Sequence, residues 1–449
     1  MFMGLSFQRH VTPLLPMVKM YGEWKDAFNN LHSGSSLKSD WRRRQGLLVG
    51  TKQYGKECRC EQRLRFCSAM SIRSVFCFCV LLYIIFLSYQ LSTLSLVSKL
   101  PNSNETKKAP IHVLIVSSWR SGSSFIGQIF NHHPDVFYLF EPGHSIWMRF
   151  RKEGARLLHY AVRDLIHSLF TCDVTPLQHY VSGDRQHISS ISFFAESRAL
   201  CSLPSCSLPL PSEVYDRSKC VQQCQKSTFD EMAKACGTYS HRVMKTVRIL
   251  DYSVLLPLFR DPALDLRIIH LVRDPRAIVS SRRWFELSVD DPIVLKEHDK
   301  ATKGPVMATI CKAQASINKM VNTAGDYLKR RYLLVRHEDL SREPIANTKK
   351  IYEFAGLKMT PDLEQWIYNI THVDVRQKNA FMTYSRKSSN VVQQWRKTMD
   401  FNKVKEIEAY CKEAMDLFGY LPVGSKSDQQ NMSLDFDIVV SEKKPFIKI

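Results

Sequence analysis

Two stretches of the chain collect the residue types that hold anions. The first is Trp119-Arg-Ser-Gly-Ser-Ser-Phe125, which follows the apolar, β-branched run Ile111 to Ser118 and leads into a further apolar pattern from Phe125 to Phe130. Such a run predicts a strand buried on both faces of a sheet. A strand, a small-residue turn and a helix N-terminus make a phosphate site, because backbone N–H groups converge and the helix dipole favours negative charge. Gly122 permits close backbone approach. Ser121, Ser123 and Ser124 add hydroxyl donors, and Arg120 adds a permanent cationic fork. A nucleoside-triphosphatase loop would place Lys and Ser/Thr after its second glycine. Here Gly127 is followed by Gln128 and Ile129, which argues against ATP or GTP hydrolysis.

The second stretch is Ile268 to Arg282, IIHLVRDPRAIVSSR. A strand is expected to end at Val272, with Arg273 at its C-terminal edge and Pro275 in the first turn of a helix. Ser281 then lies about two turns along, so Arg273 and Ser281 can close on one phosphate. Arg276, Arg282 and Arg283 strengthen the positive field. Alone, the stretch also reads as an Asp-Pro helix cap with surface arginines. Two anion sites on strands of one sheet suit a nucleotide with phosphates at both ends.

The elements that must position these residues follow from hydrophobic periodicity. Strands are expected at Val136 to Leu139, Arg242 to Val247, Arg267 to Val272 and Tyr332 to Arg336. Helices are expected at Ser145 to Phe170, Asp251 to Phe259, Pro275 to Phe285, Pro305 to Tyr327, Glu343 to Phe354 and Lys403 to Phe418, the last capped by Gly419. Strands alternating with helices predict an α/β fold, a parallel sheet flanked by helices.

At 449 residues the chain is long enough for one large or two ordinary domains. Its 63 Lys and Arg against 43 Asp and Glu leave a net charge of +20, which calls for an acidic partner: nucleic acid, an anionic membrane surface or a polyanionic substrate. The basic residues are scattered and no zinc-finger, RNA-binding or basic-zipper signature occurs, so nucleic acid is disfavoured.

Residues 1–73 carry a surplus of positive charge and no clear period, and read as a cytoplasmic tail. Met70 offers a second start. Ser74 to Ser98 contains no charged residue, enough for one membrane-spanning helix. Arg63, Arg65 and Arg73 before it set a type II orientation. A cleaved signal peptide is the alternative, but no clear small-residue cleavage site follows. Residues 99–110 read as a stem, 111–420 as the lumenal domain and 421–449 as a polar tail. Sequons at Asn104, Asn369 and Asn431 all fall on the lumenal side. Five cysteines, Cys58, Cys60, Cys67, Cys77 and Cys79, lie beside or within the span. Eight more lie beyond it: Cys172, Cys201, Cys206, Cys220, Cys224, Cys236, Cys311 and Cys411. That even number in an oxidising lumen predicts disulfides of open connectivity. A zinc cluster is weaker, for want of a CxxC pair or close-set histidines.

Trp119 to Phe125 resembles the 5′-phosphosulfate loop of Golgi carbohydrate sulfotransferases. Arg273-Asp-Pro-Arg-Ala-Ile-Val-Ser-Ser281 resembles their 3′-phosphate motif, which brings Asp274, Pro275, Arg276, Ala277, Ile278, Val279 and Ser280 into the donor site. The likeness continues through Phe137 to Pro142, Ser197 to Cys201, Tyr239 to His241, Lys245, Tyr332 to Leu340, Trp366 to Thr371 and Trp395-Arg396. It covers about Ile111 to Tyr420. The subgroup is similar to the galactose, N-acetylgalactosamine and N-acetylglucosamine 6-O-sulfotransferases, and Ser118-Trp-Arg-Ser-Gly-Ser-Ser124 looks most like those acting on N-acetylglucosamine. After Glu141-Pro142 the chain carries Gly143-His144, where many relatives have Ala and a larger aromatic or basic residue.

The resemblance implies a P-loop-like sulfotransferase fold and a type II Golgi membrane enzyme. It implies 3′-phosphoadenosine 5′-phosphosulfate as donor, no metal, and transfer of sulfuryl to a sugar 6-hydroxyl on glycoprotein or proteoglycan glycans such as keratan sulfate. Arg120 and the loop N–H groups would hold the 5′-phosphosulfate, and Arg273 and Ser281 the 3′-phosphate. Glu141, at a strand end, is the candidate general base; a structural carboxylate is the plainer reading. Lys245 would steady the transferring group or sit in a salt bridge. Arg336 and Glu338 are expected to pair with each other, and Arg396 to touch nucleotide or acceptor. Rivals are a glycosyltransferase using Asp435-Phe-Asp437 and a non-catalytic glycan-binding Golgi protein. The oligomeric state is open, a homodimer included.

Overall fold

The computed structural model describes residues 81–86, 88, 109–207, 217–282, 290–296, 305–372 and 392–437. Residues 1–103 and 104–449 form two units. In the first, 81–86 and 88 are helical. No helix among the described residues is long and apolar enough to cross a membrane. The rest of the expected span, the tail 1–73 and the stem up to 108 lie outside the described residues.

The second unit is built on five parallel strands: β1 (Ile111–Val116), β2 (Val136–Phe140), β3 (His241–Thr246), β4 (Asp265–Val272) and β5 (Tyr332–Arg336), in the order β2-β3-β1-β4-β5. Each is expected from its apolar run, with bounds moved by at most two residues. Every residue of β1 is buried, as a central strand covered on both faces requires. Its side chains alternate between two cores. Val113 and Ile115 join the core beneath Ile126, Ile129 and Phe130, whereas Leu114 and Val116 join the larger core on the other face. Because all strands run the same way, their C-terminal ends share one edge. Register places Lys245 beside Ile115 and Phe140.

The helices that matter for that edge are α1 (Ser123–His132), α2 (His144–Arg149), α3 (Ala155–Phe170), α4 (Phe229–Cys236), α5 (Pro275–Arg282), α6 (Asp290–Leu295), α7 (Val306–Thr323), α8 (His337–Arg342), α9 (Pro344–Ala355), α10 (Pro361–His372), α11 (Gln394–Thr398), α12 (Phe401–Phe418) and α13 (Lys426–Gln430). Four expectations need correction. The single helix expected over Ser145 to Phe170 is two, because Gly154 stands extended at φ −86°, ψ 157° and starts α3 afresh. Asp251 to Phe259 opens as a 3-10 turn, Tyr252–Leu255, before Leu256–Arg260 turns α-helical. Pro305 to Tyr327 breaks after Thr323 at extended Ala324 and Gly325. The chain beyond 420 is also no loose tail as far as it is described. It forms α13, and the Leu421 N–H donates to the Phe436 carbonyl at 2.7 Å. Gly419 does cap α12, at φ 78°. Residues 283–285 of the expected Pro275 to Phe285 helix lie outside the described residues.

Eight cysteines pair as Cys172–Cys236, Cys201–Cys220, Cys206–Cys224 and Cys311–Cys411. No thiolate among them is left for zinc. Cys311–Cys411 joins α7 to α12 across 100 residues.

Candidate active site

The loop after β1 folds back through two residues in the left-handed region, Arg120 at φ 69° and Gly122 at φ 86°. Gly122 is the N-cap of α1, so the first N–H groups of that helix face the turn. Its space is closed on the far side: a Cβ at Gly122 would lie 2.0 Å from Cδ2 of His337, the first residue of α8. Ser118 and Ser121 hydroxyls lie 2.6 Å apart and fix the turn. Ser123 opens α1, Ser124 is half-buried, and Phe125 packs into the smaller core. The loop thus has the expected form.

The second stretch meets it directly. The Arg273 guanidinium donates to the Arg120 carbonyl at 2.8 Å, and Arg120 Nε donates to Ser281 Oγ at 3.0 Å. Arg120, Arg273 and Ser281 are therefore linked in one continuous cluster. The remaining motif side chains shape α5. Pro275, Ala277 and Ile278 are buried and Val279 packs against the larger core. Ser280 Oγ lies 3.0 Å from Thr398 Oγ1 on α11. Arg276 faces away from the loop. It is fully buried, ion-paired with Asp274 and Glu408, donates to the Leu421 carbonyl and lies 4.3 Å from the Trp395 ring. It braces the motif and is not presented to a ligand as expected.

Glu141 stands one residue after β2, at φ 45°. Backbone strain of this kind in a non-glycine residue persists where surroundings over-determine it, and here they do. Lys245 Nζ donates to Glu141 Oε1 at 2.6 Å, and the Arg248 guanidinium binds Oε2. Burial pushes the carboxyl up, but the charges of Lys245 and Arg248 outweigh it and hold Glu141 at about 2. Lys245 is itself buried, 3.4 Å from Ser123 Oγ and 3.7 Å from the Phe140 ring centre. Burial lowers its pKa against the pull of Glu141. Lys245 thus bridges the anion loop and Glu141.

Arg248, Asp290 and His337 were not legible as site residues. Arg248 lies just past β3 and is joined to Asp290 of α6 at 3.2 Å and 3.3 Å. Its one sequence signal was the spacing Lys245-Thr-Val-Arg248. His144 opens α2 beside Glu141. Burial, then the Arg248 charge, lowers its pKa to about 4.

Two expectations about basic residues fail. Arg336 pairs with Asp339, not with Glu338. Glu338 instead accepts the Asp274 N–H at 3.1 Å and meets the Tyr420 hydroxyl at 2.7 Å, supporting the 273–281 motif from below. Burial, with the Asp274 charge, pushes it up to about 7. Arg396 is buried and donates to the carbonyls of Gln429, Leu434, Asp428 and Asn431. It fastens the C-terminal segment. Asp437 is bound to Arg342 rather than presented for a metal. Asn369 and Asn431 are exposed; Asn104 lies outside the described residues.

A parallel α/β sheet whose central strand turns through Gly122 into a helix, with Arg120, Arg273 and Lys245 gathered at the same edge, offers a cationic site suited to an anionic ligand. A protein-family model described as "Sulfotransferase domain" matches residues 110–419. Carbohydrate sulfotransferase 4 of Mus musculus is 43% identical over 341 residues, covering 74% of this chain and 88% of its own length. Carbohydrate sulfotransferase 6 of Homo sapiens is 42% identical over 344 residues, covering 75% and 87%. A solved structure, the sulfotransferase domain from the Synechococcus PCC 7002 olefin synthase, aligns over 70% of this chain and 97% of its own at 20% identity, with a TM-score of 0.39. The chain belongs to the carbohydrate sulfotransferase family, and is a sulfotransferase.

Proposed function

We propose that the protein transfers a sulfuryl group from 3′-phosphoadenosine 5′-phosphosulfate to the 6-hydroxyl of N-acetylglucosamine in glycans, as a single-pass type II protein of the Golgi membrane. The observation that carries the reading is the convergence of Arg120, Arg273 and Ser281 on one side of Lys245 and Glu141 on the other, within a chain of this family. The residues fit such a donor. The strand–glycine–helix turn closes against His337, two guanidinium groups and two hydroxyls line its mouth, and the Trp119 indole N–H is buried with no protein partner among the described residues. The N-acetylglucosamine preference rests on the form of Ser118 to Ser124.

The donor supplies an activated sulfuryl group on a phosphate leaving group. Arg120 and the α1 N–H groups hold its 5′ end and take up charge there; Arg273 and Ser281 hold the 3′-phosphate. Lys245, between Ser123 and Glu141, faces the charge that spreads over the transferring group. Glu141, ionised at neutral pH, accepts the proton of the attacking sugar hydroxyl. No step calls for a metal.

The test is an acceptor panel. The full chain, in detergent, receives donor labelled in the sulfuryl group and glycans ending in N-acetylglucosamine, galactose or N-acetylgalactosamine. Label on the 6-position of N-acetylglucosamine is the expected result. Label on galactose or N-acetylgalactosamine alone keeps the chemistry and overturns the acceptor. Donor binding without transfer to any acceptor points to a glycan-binding protein instead. Glu141→Gln is expected to bind donor normally and to lower turnover by about 10²-fold or more; normal turnover removes Glu141 from its role.

A further inference from the structure

The guanidinium of Arg248 stands where four parts of the site meet. It binds the Glu141 carboxylate, it is anchored from behind by both Asp290 oxygens, and it lies 5.9 Å from the rings of Trp119 in the anion loop and Trp147 in α2. It is buried, only 5% exposed. Burying a guanidinium is costly unless paired, and here both partners are carboxylates aimed at it. Lys245 alone meets one Glu141 oxygen; Arg248 meets the other. Two donors on two oxygens fix the plane of the carboxylate, which one donor leaves free to turn.

We propose that Arg248 is the positioning residue of the transfer reaction: anchored by Asp290, it holds the Glu141 carboxylate in the orientation that receives the acceptor proton and leaves Lys245 facing the anion loop. This rests on the assignment of Glu141 as base. Among the described residues Arg248 has no contact with Arg120, Arg273 or Ser281 and approaches the anion loop only through the Trp119 ring, so its loss is felt in turnover more than in donor binding.

A pH profile separates positioning from packing. The charged groups facing Glu141 are Lys245 and Arg248 from the β3 end and His144 from α2; Asp290 acts on Arg248 and Glu196 on Lys245. With both cations present Glu141 is held at about 2, so it adds no acid limb to the kcat profile near neutral pH. In Arg248→Gln one cation is gone, burial is less opposed, and Glu141 takes up a proton as pH falls.

The expected results for Arg248→Gln are a 10-fold to 100-fold loss of kcat, a donor KM within about twofold of the wild type, and a new acid limb in the kcat profile. Arg248→Lys, which keeps a cation, restores the flat profile and most of kcat. His144 also gains freedom to protonate, so His144→Gln/Arg248→Gln must keep the limb. A flat profile in Arg248→Gln, or loss of the limb in the double variant, overturns the proposal. A folded Arg248→Gln that gives no donor-induced thermal shift also overturns it. If Arg248→Gln does not fold, judged by the absence of a cooperative thermal transition, Arg248→Lys decides. Flat and active supports the role, whereas donor binding with turnover as low as in Glu141→Gln overturns it. Normal turnover in Glu141→Gln would identify failure of the underlying reading separately.

Discussion

Arg120, Arg273 and Arg276 carry the same charge within one α/β edge, yet their surroundings give them different work. The first two line the loop, Arg273 donating to the Arg120 carbonyl and Arg120 to Ser281. Replacing either by Ala removes a charge-assisted contact, and donor binding is expected to weaken about 10-fold to 100-fold with little change in melting temperature. Arg276 is expected to behave oppositely. Its removal strands Asp274 as a buried carboxylate and leaves Glu408 with Lys405 as its cation, which costs about 3–5 kcal/mol of stability. Thermal melts and donor titrations on Arg276→Ala and Arg273→Ala together check the contrast. Arg276→Ala melting like the wild type while failing to bind donor would return Arg276 to the ligand. Gly122→Ala places a side chain at φ 86° and against His337, and is expected to abolish donor-induced stabilisation. Sequence showed which residues could hold anions, because Arg and Ser after a strand have few other uses. It did not show which arginines point inward. That depends on Glu408 and Leu421, more than 130 residues from Arg276 along the chain.

Elements were legible where periodicity was long and uninterrupted. All five strands came from apolar runs, and the α12 stop came from Gly419. The missed breaks at Gly154 and after Thr323 follow from single extended residues that a hydrophobic pattern does not register. Helix α10 went unnamed, though its three buried residues, Leu363, Ile367 and Thr371, keep helical spacing. The disulfide count was legible and the pairing was not, since pairing is set by three-dimensional proximity. The bridge between α7 and α12 closes the longest loop of the four. Cys311→Ser/Cys411→Ser is expected to lose about 2–5 kcal/mol. Denaturant unfolding of the folded, oxidised protein measures it, and an unchanged midpoint would show that packing between these helices suffices.

At the scale of the whole molecule, the response to acid is set by buried histidines. His112, His132, His159 and His270 are buried, and burial is the first cause holding each at about 4. Their folded values lie below the unfolded value near 6.5. The unfolded chain therefore binds more protons between pH 6.5 and 4, and stability is lost as pH falls through that window. Glu338 works the other way: its folded value, about 7, lies above that of a free carboxyl, so its stabilising share grows as pH falls. Glu196 and Asp437 are shifted in the same sense as Glu338. Each histidine contributes on the order of 1–3 kcal/mol, and four outweigh the carboxyls. The melting temperature is expected to fall by about 5 °C or more from pH 7 to pH 5, and more steeply in Glu338→Gln. A melting temperature that rises on acidification would refute this balance.

The contacts of Arg120 with Ser281 and of Arg276 with Leu421 also set a timetable for synthesis. A nascent chain released only as far as β3 has the glycine turn, Glu141 and Lys245, but neither Ser281 nor Arg273 to close the turn. When α5 emerges its brace is still missing, because Glu408 and Leu421 follow far later in the chain. Donor affinity therefore arrives late and all at once, and a chain that binds donor has finished assembling its domain. Ligand binding adds stability only to that finished state. Donor, or its desulfated product, would act as a folding aid for variants that destabilise the C-terminal helices while leaving the turn intact.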